Sequence, residues 1–343
     1  MSQPASQRGG VNGGQEARST ALARGRQLTE LRRRASGLVL AVTLRDGCGA
    51  DELRGAPAVA AIACGAHHSL ALTADGELYV WGKGQGGVLG LGGSPTYKAG
   101  TDVLIPTRVP NPSPSDKSDS DDTVNGIVPN GVAAGYYHSA VIMNELGDLF
   151  TWGRGTNGRL CNGETTAVSQ PTSTSISGVL RVYLGGAHTI FKVGHRALMA
   201  CGSNLRGQLG SGSSGGDAST PVAVRLGSSQ EVAEASTLES DGGGDQISQS
   251  ADGPRILSAC AGRSHSAALT EEGELYTWGS NGDGELGQGD YTDRSSPTLV
   301  LYPYGTNPPS SSAASARYER IACGNRATIA VRRGRRVSFF APA

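Results

Sequence analysis

Large side chains are what this sequence lacks most. Only 5% of its 343 residues are aromatic, too few to fill one thick core, so many small, similar packing layers are expected instead. Net charge is missing as well: 30 basic residues balance 30 acidic ones, which argues against a broad nucleic-acid-binding surface. No apolar run approaches the roughly 18 residues that would cross a bilayer; the stretch 37–43 (GLVLAVT) is far too short, and no membrane insertion is expected. The six cysteines are scattered without a CxxC pair, which fits a reduced cytosolic or nuclear protein. Catalytic signatures are absent too, with no nucleophile elbow, no HExxH and no kinase set. The chain therefore reads as a non-enzyme without cofactor or catalytic residue.

What is present is glycine, at 52 positions. Residues 276–289 read YTWGSNGDGELGQG. A phosphate loop would need Lys-Ser or Lys-Thr after the glycines and then a helix, and neither follows. The stretch is instead one copy of a repeat, seen also at 81–90 (WGKGQGGVLG), 152–161 (WGRGTNGRLC) and 201–210 (CGSNLRGQLG). Gly82, Gly153, Gly202 and Gly279 open each copy behind Trp81, Trp152, Cys201 and Trp278. Leu89, Leu160, Leu209 and Leu286 stand near each end. A second block precedes each: GAHHSLAL, GYYHSAVI, GGAHTIFK and GRSHSAAL, from Gly65, Gly135, Gly185 and Gly262, with His68, His138, His188 and His265 three residues on. Glycine turns such as ADGE (74–77) and EEGE (272–275) join the two blocks as hairpins. A third block starts at Pro106, Pro171, Pro221 or Pro297, where proline suits an edge strand. Each unit thus holds about four short strands, and radial repetition of such blades makes an all-β propeller.

The pattern GxxH[ST] … GxL[YF]xWGxNxxGxLG closely resembles the repeat of the regulator of chromosome condensation family. It is carried by 65–90, 135–161, 185–210 and 262–287, and with linking segments the resemblance spans roughly 59–340. It implies a β-propeller, in that family usually of seven blades. This chain departs from that number. Four repeats are complete. A fifth begins at Ile321, has Ala327 in the histidine position, and reaches Phe340 where Trp should stand. About five blades are therefore expected, with one split or partial. The segment 48–54 (CGADELR) echoes the glycine-rich loop, and 38–43 could be the strand before it; if 37–56 completes a blade, removing it should destabilise the domain. An incomplete ring, a shortened chain and divergent blades remain the alternatives.

The four histidines sit in separate blades, so they are expected around an axis, each hydrogen-bonding backbone within its own blade, and no metal is expected. Cys64, Cys260 and Cys323 read as small buried apolar residues, and the spacing of Cys64 and Cys260 to their histidines is not that of zinc ligands. The tryptophans read as wedges between blades, with the Cys201 repeat the least well packed. The family's ultraviolet-sensing members carry a GWRHT-type repeat, which is absent, so photoreception is not expected.

Outside the repeats, residues 1–36, with seven arginines against Glu16 and Glu30, read as a basic tail expected to be disordered. The propeller domain takes 37–343. Its acidic insertions near 111–122 and 227–253 read as disordered loops. Partner contacts are expected, if anywhere in these segments, at Arg32, Arg33 and Arg34 of the tail and at Asp116, Asp119, Asp121 and Asp122 of the first insertion. The sequence supports a non-enzymatic protein-interaction scaffold in the cytoplasm or nucleus. The resemblance implies an alternative: guanine-nucleotide exchange on a Ran-type small GTPase, with chromatin contact through the basic tail. No exchange residue maps onto a position here, and only the long loops at 91–131 and 211–255 could protrude as a wedge. A second alternative is a mitochondrial assembly factor, with the Arg- and Ser-bearing N-terminus as presequence.

Overall fold

The structure, a computed structural model, describes residues 58–92, 100–110, 127–227, 253–301, 317–334 and 336–340, all within the unit Pro57–Ala343. Nineteen strands in these residues form five antiparallel sheets. Blade 1 holds β1 (Val59–Cys64), β2 (His68–Thr73), β3 (Leu78–Gly82) and β4 (Val103–Arg108). Blade 2 holds β5 (Ile127–Ala134), β6 (His138–Met143), β7 (Asp148–Gly153) and β8 (Val168–Ser173). Blade 3 holds β9 (Val179–Leu184), β10 (His188–Val193), β11 (Ala197–Gly202) and β12 (Ala218–Ala223). Blade 4 holds β13 (Ile256–Ala261), β14 (His265–Thr270), β15 (Leu275–Gly279) and β16 (Arg294–Leu299). Blade 5 has three strands, β17 (Tyr318–Cys323), β18 (Thr328–Arg332) and β19 (Arg336–Phe340). The first strands of the blades lie side by side in the order β1, β5, β9, β13, β17. The chain is thus a five-bladed β-propeller with a partial fifth blade.

Strand chemistry follows position in the blade. Every residue of β6, β10 and β14 is buried, because a strand inside a blade is covered on both faces by the neighbouring blades. The core is accordingly split into thin layers between blades. Leu70 and Val80 of blade 1 meet Val141 and Trp152 of blade 2. Ile142 and Leu149 meet Phe191 and Cys201. Ile190 and Leu198 meet Ala268 and Trp278, and Leu269 and Leu275 meet Ala330 and Phe340. The hairpin glycines reverse the strands in the left-handed region, at φ +90° for Gly76 and +87° for Gly273.

Register confirms that the fifth unit is a repeat. Ser69 lies opposite Trp81, Ser139 opposite Trp152, Thr189 opposite Cys201 and Ser266 opposite Trp278. Thr328 lies opposite Phe340 in the same way, so Ala327 takes the histidine place and Phe340 the tryptophan place. The segment 37–56, the candidate above for completing a blade, lies outside the described residues.

Candidate functional site

Three of the four histidines, His68, His138 and His188, bond the next blade rather than backbone of their own, which corrects the expectation above. His68 Nε2 lies 2.8 Å from Ser139 Oγ of the next blade, His138 Nε2 2.9 Å from Thr189 Oγ1, and His188 Nε2 2.9 Å from Ser266 Oγ. Each hydroxyl donates its one proton to a glycine-loop carbonyl of the preceding blade: Ser139 to Val88, Thr189 to Arg159, Ser266 to Gln208. The hydroxyl must therefore accept from the imidazole, which fixes the Nε2–H tautomer. Trp152 and Trp278 donate Nε1–H to the same Val88 and Gln208 carbonyls at 2.8 and 2.9 Å. Glycine precedes each histidine because the ring lies flat on it: a Cβ at Gly65 would meet His68 Cε1 at 2.5 Å, and one at Gly135 would meet His138 Cε1 at 2.8 Å. Blade 1 has no joint of this kind on its other face among the described residues. Trp81 is half-buried, whereas Trp152 and Trp278 are fully buried, and among the described residues Ser69 Oγ makes only a 4.0 Å contact with Cys64 Sγ. Ser139→Ala is therefore expected to lower unfolding free energy by about 1–3 kcal/mol, by stranding a buried imidazole N–H, and Ser69→Ala by under about 0.5 kcal/mol. Equal losses in thermal melts would contradict this assignment.

Two of the four joints depart from the pattern, and each of those carries a disulfide. At the joint of blades 2 and 3, Cys201 replaces the tryptophan and bonds Cys161 of the blade 2 loop, with the Cα atoms 5.5 Å apart. At the joint of blades 4 and 5, no histidine–hydroxyl bond forms between His265 and Thr328 among the described residues, Phe340 cannot donate, and Cys260 bonds Cys323 across the inner strands, again at 5.5 Å. The cysteine expectations are corrected: Cys260 and Cys323 are cross-linked, Cys64 is free and exposed, and the Cys201 repeat is tied covalently. Scattered spacing concealed the pairs because each bridges two blades. Burial pushes the imidazoles down, to about 4 for His68 and His265, about 3 for His188, and well below the ordinary value for His138. All four are neutral structural groups. Among the described residues, no three His, Cys, Asp or Glu side chains group as a metal site would require.

Chemistry available to a partner sits at one mouth of the ring. In each blade the first strand leads to a turn, and that turn and the glycine-rich loop share one end; the hairpins and the connections between blades share the other. Around the first end, backbone bonds run from Ala66 to Gly135, Tyr136 to Gly185, Gly186 to Gly262 and Arg263 to Asn325. A second tier ties Lys83 to His67, Arg154 to Tyr137, Ser203 to Ala187 and Ser280 to Ser264. These bonds set Tyr136, Tyr137 and Arg154 on blade 2, small residues (Gly186, Ala187, Ser203) on blade 3, and Arg263 on blade 4, with Arg326 on blade 5. The Arg154 guanidinium stacks 4.6 Å from the Tyr137 ring centroid, and the two tyrosine rings are 6.2 Å apart. Burial raises the Tyr136 hydroxyl pKa, against which the charges of Arg263 and Arg326 act. Tyr136, Tyr137 and Arg263 fill the two variable positions between Gly and His, GYYH and GRSH against GAHH and GGAH, and Arg154 fills the variable position after Trp-Gly, so none belongs to the repeated motif. That contrast was the available signal.

The contact residues expected from sequence, Arg32, Arg33, Arg34, Asp116, Asp119, Asp121 and Asp122, lie outside the described residues. The strand ends flanking the two acidic insertions, β4 to β5 and β12 to β13, are at the end opposite the Tyr–Arg mouth. No helix among the described residues is long and apolar enough to cross a membrane.

The description "Regulator of chromosome condensation (RCC1) repeat" matches residues 75–142, 147–191 and 272–331, and a second form of it matches 59–87, 131–159 and 256–285. The chain belongs to the RCC1 repeat family. It is 30% identical over 303 residues to the human E3 ubiquitin-protein ligase HERC2, covering 79% of this chain and 6% of the ligase. It is 32% identical over 273 residues to the Arabidopsis thaliana ultraviolet-B receptor UVR8, covering 79% of this chain and 50% of the receptor. The chain therefore spans half or less of these RCC1-repeat relatives. Its fold is similar to that of Prp20p from Saccharomyces cerevisiae, with a TM-score of 0.52 at 16% identity, over 84% of this chain and 57% of that one.

Proposed function

We propose that this RCC1-repeat propeller is a protein-interaction scaffold that presents the mouth of its ring to a partner. The observation that carries the reading is the Tyr136–Tyr137–Arg154 cluster, facing Arg263 across small residues. Tyrosine and arginine are the side chains most enriched where binding energy concentrates, and here backbone bonds between blades hold them in place before binding. The histidines are committed to the joints. Trp152 and Trp278 are committed likewise, which supports packing rather than photoreception. The two disulfides favour an oxidising compartment over the reducing cytosol or nucleus. Crosslinking through a photoreactive group at position 137, compared with one at Glu145 on the opposite end, tests the reading in cell extract. Specific adducts at 137 are expected; adducts only at 145 would refute it.

A second reading, exchange on a Ran-type GTPase, draws on the fold likeness to Prp20p, which binds Gsp1p and histones. That likeness reaches the fold alone. Release of a fluorescent GDP analogue from a panel of small GTPases separates the two. The scaffold reading expects the intrinsic release rate at substoichiometric protein; clear acceleration would replace it with exchange.

A further inference from the structure

We propose that the mouth sector over blades 2, 3 and 4 binds an acidic, extended peptide segment of a partner protein, its carboxylates against Arg154 and Arg263. The inference rests on the scaffold reading and adds the partner's chemistry.

Charge is the first argument. Three cations of this sector have no carboxylate within ion-pair distance among the described residues. Arg263 is exposed and makes no salt bridge. Arg154 lies on the Tyr137 ring. Arg159 is 5% exposed, and all its acceptors are neutral: Thr156 O at 2.9 Å, Gly186 O at 2.8 Å, Thr156 Oγ1 at 2.8 Å and Asn157 Oδ1 at 3.2 Å. Burial lowers the Arg159 pKa to about 10, so it still carries its charge at neutral pH. Its guanidinium is hydrogen-bonded without a direct ion pair, beneath the Gly186 carbonyl, with the Arg154 charge opposing it and the Asp217 charge partly offsetting it. Like charges held together in a partly desolvated site favour a negatively charged ligand.

Shape is the second argument. Blade 3 contributes Gly186, Ala187 and Ser203 where its neighbours contribute Tyr136, Tyr137, Arg154 and Arg263. Gly186 and Ser203 are buried and Ala187 is half-buried, so blade 3 adds no long side chain at these positions and the blade 2 cluster and Arg263 stand as the two walls beside it. Leu205, 67% exposed on the same loop, offers an apolar contact at the outer edge. The walls present aromatic faces to side chains and guanidinium forks to carboxylates, an arrangement suited to a narrow chain with acidic residues. A nucleic acid fits less well. Outside the arginines the rim carries acids: Asp102 beside Lys83, Asp283 beside Arg326 and Asp293 beside Arg206, with Asp217 hydrogen-bonded to Asn157. These acids bound the positive stretch on its flanks, so it is short enough for a few carboxylates and too short for a continuous phosphate backbone.

The test is selection of a displayed library of random 12-residue peptides on the folded full-length chain, followed by fluorescence anisotropy with a recovered peptide. Peptides enriched in Asp and Glu are expected. Their affinity should fall roughly 30-fold or more in the Arg154→Glu/Arg263→Glu variant and weaken with added salt, while Arg333→Glu, on the opposite end, changes it less than about two-fold. Matching melting temperatures certify that the variants fold. Peptides without acidic enrichment, no recovered peptide, or unchanged affinity in the double variant would overturn the proposal. If recovered peptides bind elsewhere and the crosslinks at 137 persist, the scaffold reading survives and this one falls. Tighter binding of a labelled single-stranded RNA 12-mer that the same variant abolishes would assign the sector to nucleic acid instead.

Discussion

Acidification from about pH 7.5 to about pH 5.5 is expected to remove over 5 kcal/mol from the unfolding free energy of this propeller. The cause is the set of four histidines in the joints. Each has a folded pKa lowered by burial, to about 4, about 3 and about 4 for His68, His188 and His265, and well below the ordinary value for His138, where the Arg159 charge adds to the effect. In the unfolded chain each returns to its usual value of about 6.5. Below that value the unfolded state takes up a proton that the folded state refuses, so stability is full above about pH 6.5 and declines as pH falls toward the folded values. At about pH 5.5 each histidine contributes a loss of about 1.4 kcal/mol, and four together approach the whole stability of many domains. Urea unfolding at a series of pH values measures the slope directly. His188→Gln, which keeps a donor for Ser266, should reduce that slope by about a quarter. A flat profile between about pH 7 and 5.5, or an unchanged slope in the variant, would refute the neutral-imidazole joints.

The same residues show how far the sequence could be read. Gly65, His68, Trp81 and Gly82 recur at fixed spacing, and spacing within one blade is local information, so strand order, hairpins and the partial fifth unit could be inferred from it. The partner of His68 could not. Blades 1 to 4 each carry a Ser or Thr beside the same histidine, so nothing in the motif says whether a bond stays within a blade or crosses to the next. Only the ring decides, by placing Ser139 rather than Ser69 against the imidazole. The Tyr–Arg mouth was hidden for the opposite reason. Its residues occupy the positions that do not repeat, and a search for repeats discards those first.

Replacing both Cys161 and Cys201, by glycine and tryptophan, is expected to rebuild a regular joint and make the stability of blades 2 and 3 independent of reductant at that site. Gly90 packs against Trp152, Gly210 against Trp278 and Gly287 against Phe340. The corresponding pair at the remaining joint is Cys161 and Cys201, so cysteine occupies both places of the Gly–Trp pair there. Cys161 even keeps the glycine's backbone, at φ +57° beside +70° for Gly90 and +67° for Gly210, a conformation that costs an L-residue roughly 1–2 kcal/mol. The bridge offsets that strain by closing a loop of 40 residues, worth about 4 kcal/mol in the chain-entropy account. Three variants separate the terms. Cys161→Gly alone relieves the backbone but loses the bridge, for a net loss of about 2–3 kcal/mol. Cys201→Trp alone also loses the bridge and drives the indole into the Cys161 side chain, since a Cβ at Gly210 would stand 2.7 Å from Trp278 Nε1; more than about 4 kcal/mol is expected. The double variant recovers the indole packing and a donor for the Arg159 carbonyl. In reducing buffer it should exceed the wild type by about 2 kcal/mol or more. Strong positive coupling between the two substitutions is the decisive result. Simple additivity would mean that Cys161 and Cys201 do not stand in for the glycine–tryptophan pair.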